Sequence, residues 1–82
     1  MLKLSTETKL AGAEVIKRAV AYFGPSGLGL KVTEQLDESV MFEGGGGGVA
    51  VETGPGEKGK TAVDLSSREW DFQIQQFLEK IR

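Results

Sequence analysis

Cysteine, histidine and asparagine are all missing from this 82-residue sequence. Without cysteine there is no disulfide framework and no thiolate metal site. Without histidine the chain lacks the commonest general base and the commonest metal ligand. The absence of asparagine removes any N-glycosylation sequon. No apolar run approaches the ~20 residues that cross a bilayer as a helix, and the opening Met1-Leu2-Lys3-Leu4-Ser5 lacks a signal-peptide stretch. What is present is 39% apolar and 27% charged, with a net charge of −2. That balance predicts one small globular domain over residues 1–82, cytoplasmic, with no membrane partner and no cofactor.

Two segments carry the helical period. From Thr6 to Phe23, Ala13, Ile16, Val20 and Phe23 recur at spacings of three and four, and Leu10 extends the stripe by a turn. Ser5 or Thr6 is placed to cap this helix, and Glu7 then falls in the first turn, where the dipole favours an anion. Gly24 is placed to end it in a left-handed conformation, with a bond from its N–H to the Val20 carbonyl, and Pro25 prevents continuation. The second helix is predicted from Ser67 to Ile81. Ser66 and Glu69 fit a capping box, Leu65 and Trp70 the matching hydrophobic staple, and Trp70, Ile74, Phe77, Leu78 and Ile81 one apolar face.

Between them the period falls to two. Leu28, Leu30 and Val32, then Val40 and Phe42, Val49 and Val51, and Val63 and Leu65 alternate with small or polar residues. Turns are expected near Asp37-Glu38, within Gly44–Gly48 and across Gly54–Gly59. Residues 33–42 also fit a short helix, since Val32, Leu36 and Val40 are four apart. Two remaining strands would be marginal in water, so strand–turn–strand is preferred. The result is an α+β, two-layer fold of order α-β-β-β-β-α: a four-stranded antiparallel meander with both helices on its apolar face. This layout, with a short leading strand at Leu2–Leu4 as an option, resembles the helix-grip or TATA-binding-protein-like (TBP-like) arrangement at the level of topology alone. The resemblance implies no single function.

Few residues point to chemistry. Gly54-Pro55-Gly56-Glu57-Lys58-Gly59-Lys60-Thr61 satisfies the phosphate-loop pattern, but strand-like residues follow where that motif needs a helix. Pro55 has no N–H to donate, and Glu57 sets a negative charge in the cradle. A hairpin loop is the better reading. The five glycines Gly44, Gly45, Gly46, Gly47 and Gly48 read either as a loose connection or as a mobile lip over a ligand. From Val32 to Glu57 there are six acids and no Lys or Arg. They read as a solvated face or a surface for a basic partner. Glu34 alone among the acids is in phase with the core, unless a bulge or strand end returns it to water. Tyr22 and Phe72 fall beside the main stripes, where they border a groove between the helices or close the rim of the core.

Without His or Cys, nucleophilic catalysis would rest on Ser, Thr or Lys, and the serines have turn or cap roles; no enzyme is expected. The expected function is a noncatalytic interaction module that uses an open sheet face or a strand edge, to bind a protein partner or to self-associate. The alternative is a small-molecule carrier with a pocket between helices and sheet, gated by Gly44–Gly48. Acids on the sheet face argue against nucleic acid.

Overall fold

The computed structural model describes residues 2–82. Its elements are β1 (Leu2–Thr8), α1 (Gly12–Phe23), β2 (Lys31–Gln35), β3 (Ser39–Gly44), β4 (Gly47–Pro55), a 3₁₀ turn at Glu57–Gly59, β5 (Thr61–Arg68) and α2 (Asp71–Ile81). All five strands join one antiparallel sheet in the order β1-β5-β4-β3-β2. The α+β class is as expected; the strand count is five rather than four.

The added strand covers the optional leading strand at Leu2–Leu4 and runs on through Thr6–Thr8, where the sequence suggested the start of the first helix. Leu2, Leu4 and Thr6 alternate with exposed Lys3, Ser5 and Glu7, which is a strand pattern. Every residue of β1 has a partner on β5, from Leu2 opposite Ser67 to Thr8 opposite Thr61. Seven paired residues satisfy backbone groups that an isolated first turn of helix would leave open. Helix α1 therefore begins at Gly12, and neither Ser5 nor Thr6 caps it. Its buried stripe is Val15, Ile16, Ala19 and Phe23, with Ala13 exposed. The stop is formed by the expected bond from Gly24 N–H to the Val20 carbonyl, 2.9 Å. Gly24 is extended (φ −72°), not left-handed. Glycine is still required there, because a Cβ would lie 2.4 Å from the Val20 carbonyl oxygen.

The second helix also starts later than its capping box suggests. Ser66, Ser67 and Arg68 are the last residues of β5, paired on one side with Ala50, Val49 and Gly48. On the other side Ser66 and Ser67 pair with Lys3 and Leu2. That double pairing claims the backbone groups that a helical turn would need. The chain turns at Glu69, whose φ is +72°, and α2 starts at Asp71 with no side-chain cap. Ser67 Oγ instead donates to the Asp71 carboxylate.

Residues 33–42 form strand, turn and strand, closed by a bond from Leu36 N–H to the Ser39 carbonyl. Both helices pack on one face of the sheet. Phe23, Phe42 and Phe77 stack with centroids 5.3 and 5.5 Å apart about Phe23. Together with Leu30, Leu65, Ile74, Val15, Val40, Val51 and Val63 they are below 2% exposed. The helices close that side, and the other side of the sheet has no covering layer among the described residues.

Thr8 ties the two ends of the chain together. Its hydroxyl donates to the Ile81 carbonyl at the end of α2 and accepts from Leu10 N–H at 3.2 Å, in a buried position. The shape-conserving change Thr8→Val leaves both backbone groups without a partner. It should lower stability by about 1–3 kcal/mol, read as an earlier urea midpoint with an unchanged slope; an unshifted midpoint would refute this role.

Candidate functional site

The register places the outward residues of the sheet in rows that run across the strands. The middle row is Glu34, Met41, Ala50, Ser66 and Lys3. Met41 is 46% exposed, beside a shallow depression of about 200 Å³ that Ala50, Gly48, Ser66 and Arg68 also line. The next row on one side is Lys31, Glu43, Gly48 and Arg68, with the first two oppositely charged partners. The row on the other side is Ser39, Glu52, Asp64 and Ser5.

That last row is acidic at its centre. Glu52 and Asp64 are direct cross-strand partners, an arrangement of like charges that weakens a strand pair. Ser5 donates to Asp64 at 2.6 Å, which satisfies one oxygen but neutralises nothing. The ion pairs among the described residues are Arg18–Glu14 and Arg82–Glu79, both on the helices. So Glu52 and Asp64 face solvent together without a cation within 4 Å among the described residues.

The residues singled out from sequence do not converge. Glu34 lies on the outermost strand, where a bulge between Val32 and Glu34 turns it to the bare face opposite Met41. Tyr22 and Phe72 are on helices, across the sheet from it. Tyr22 is half-buried; its ring packs on Phe23 and Phe77, its hydroxyl donates to Gln76 at 3.2 Å, and the Lys80 ammonium stands 5.9 Å from the ring centroid. This completes the rim of the core. Phe72 is 64% exposed in the first turn of α2.

The glycine run is not a loose connection. Gly44 pairs with Gly47, leaving Gly45 and Gly46 as a two-residue hairpin with φ of +58° and +82°, the positive values that a type I′ turn demands. Trp70 Nε1 donates to the Gly44 carbonyl at 2.9 Å, and a Cβ on Gly45 would meet the indole at 2.8 Å. A Cβ on Gly47 would lie 1.9 Å from the Arg68 carbonyl oxygen. Trp70 thus clamps the hairpin rather than stapling a helix.

The phosphate-loop pattern is likewise a hairpin. Gly56 N–H donates to the Lys60 carbonyl and Lys60 N–H to the Glu57 carbonyl, both at 2.9 Å. Glu57 N–H donates to the Glu7 carboxylate at 2.8 Å. Three of the loop's amides, those of Gly56, Glu57 and Lys60, are thus engaged within the protein, and β5 follows instead of a helix. Among the described residues no group of three or more acids is placed to hold a metal ion, and no helix is long and apolar enough to cross a membrane. Comparison with protein-family models, curated proteins and solved structures gives no match.

The row of acids and the clamp by Trp70 both depend on register, which no local sequence signal reports. The signal that was available is the alternation in Leu2–Thr8, which supplies the strand that completes the bare face. The hairpin geometry predicts a ranking of alanine substitutions. Gly46→Ala meets no atom within 4 Å and should cost only its backbone conformation, about 1–2 kcal/mol. Gly45→Ala should cost more, and Gly47→Ala most. Gly54→Ala, with ordinary φ and open space, should be neutral or slightly stabilising. Thermal melts give the order; equal effects at Gly46 and Gly47 would contradict the tight turn.

Proposed function

We propose that the protein is a noncatalytic interaction module whose bare sheet face receives a basic segment of a protein partner. The observation that carries this reading is the Glu52–Asp64 pair, set side by side across β4 and β5. Among the described residues it has no ion-pair partner within 4 Å, and Lys3 is the only cation lining the same depression. A positively charged side chain arriving there relieves repulsion that the free protein bears. The adjoining Met41–Ala50 row offers apolar area to the same segment, so the fitting partner alternates cationic and apolar residues. Nucleic acid fits this face poorly, since its phosphates meet Glu43, Glu52 and Asp64 first.

The runner-up, a carrier with a pocket between helices and sheet, has less behind it. That interlayer is occupied by Phe23, Phe42, Phe77, Leu30 and Leu65, each at most 1% exposed, and the Gly44–Gly48 hairpin that would gate it is held by Trp70. The helix-grip or TBP-like layout expected from the sequence is not confirmed, since the sheet has five strands in the order β1-β5-β4-β3-β2, and it adds no weight to either reading. Edge pairing remains open to this module along β1, which is regular over seven residues. The opposite edge, β2, is bulged and charged, features that discourage strand addition.

The test is one substitution with two readouts. Glu52→Gln removes the like-charge contact and should stabilise the fold by roughly 0.2–1 kcal/mol, a rise of about 1–8 °C in melting temperature. The same variant should bind a peptide of alternating lysine and leucine roughly two- to five-fold more weakly than the parent. Amide shifts in the parent should gather at Met41, Ala50, Glu52, Asp64 and Ser66. Unchanged affinity in the variant, or shifts confined to the helices, would overturn the reading.

A further inference from the structure

Five of the ten Lys and Arg residues of this acidic chain line a single cleft. Lys9 comes from the β1–α1 connection, Arg18 from α1, Lys60 from the β4–β5 hairpin, and Lys80 and Arg82 from the end of α2. They surround a space of about 500 Å³. One acid, Glu7, also lines it; the Glu57 N–H donates to one of its oxygens but leaves its charge in place, so the cations outnumber it five to one. Arg18 and Arg82 are held only by exposed pairs with Glu14 and Glu79 at 3.0 Å, which an incoming anion can displace at little cost. Lys80 lies over Tyr22 at 5.9 Å. Lys9 and Lys60 have no acid within 4 Å among the described residues.

A local explanation covers part of this set. Lys80 and Arg82 complement the negative end of the α2 dipole, an interaction worth a fraction of a charge. It does not account for Lys9, Arg18 and Lys60, which reach the same space from three other elements. Converging like charges repel, and the fold brings them together on a molecule that is otherwise acidic.

We propose that this cleft binds a compact polyphosphate, an anion with two or more linked phosphate groups. The volume suits a small molecule, and the number of cations calls for several negative charges at short spacing. No aromatic ring is among the described residues lining the cleft, so a stacked base is not part of the recognition. Lys60 is the lysine of the phosphate-loop pattern. It serves the anion as a side chain from the hairpin rather than through a backbone cradle.

Sodium tripolyphosphate, titrated into the full chain and followed by amide NMR, should give saturable shifts at Thr8–Leu10, Lys60 and Lys80–Arg82. The double variant Lys9→Gln, Lys60→Gln should keep its melting temperature, since both side chains are exposed, and lose about tenfold in affinity. Lys31→Gln, on the far edge strand, should bind as the parent does. Equal affinity in the double variant would overturn the proposal, as would shifts that fail to saturate. So would binding confined to a mixed-sequence oligonucleotide or to anionic phospholipid vesicles, with free tripolyphosphate leaving the amides unmoved.

Discussion

The hydrogen bonding of β5 along both of its edges is the constraint on which the rest of the molecule depends. β1 occupies one edge and β4 the other, so the backbone from Thr61 to Ser67 has partners on both sides. This joins the first residues of the chain to the last strand and sets the register of the outward rows. It also explains why a capping box as well formed as Ser66 to Glu69 starts no helix. A cap satisfies one or two amides, whereas two flanking strands pair Ser66 and Ser67 on both edges and β4 pairs Arg68 on one. The helix is deferred until the chain has left the sheet, at the cost of a left-handed Glu69.

From that register follows the division of the surface. Both helices are committed to one face, where three phenylalanines and the aliphatic side chains fill the layer between them and the sheet. The other face is left with Met41 and Ala50 at its centre, flanked by charges, and the end of the molecule nearest the tip of α2 gathers five of the ten cations. The six acids without a base between Val32 and Glu57 are therefore a spatial feature as well as a sequence one. Three of them, Glu34, Glu43 and Glu52, stand on the bare face, and Asp64 joins them from β5.

Much of this architecture could be read from residue patterns. The inward set Leu30, Val40, Phe42, Val49, Val51, Val63 and Leu65 is buried as the alternation implied, and Asp37-Glu38 is a turn. What misled was strong local chemistry at the two ends. Thr6 to Leu10 contains a cap candidate and first turn, and Ser66 to Trp70 a complete capping signature, yet Thr6–Thr8 and Ser66–Arg68 belong to the same pair of strands. Pairing partners sixty residues apart leave no trace in a local window. For the same reason the opposition of Glu52 and Asp64, and the grip of Trp70 on Gly44, were not legible: each is fixed by register. The five glycines suggested mobility by composition, while their conformations show a turn that only glycine can make.

Residue-resolved amide hydrogen exchange tests the central role of β5 most directly. A strand paired on both edges has every amide bonded, whereas an edge strand bonds only alternate amides. The account predicts unbroken protection from Ala62 to Ser67, set by global unfolding, beside alternating protection in β1 and β2. Rapid exchange at Ser66 and Ser67, or alternation within β5 itself, would mean that β1 is not zipped to it and would contradict the account.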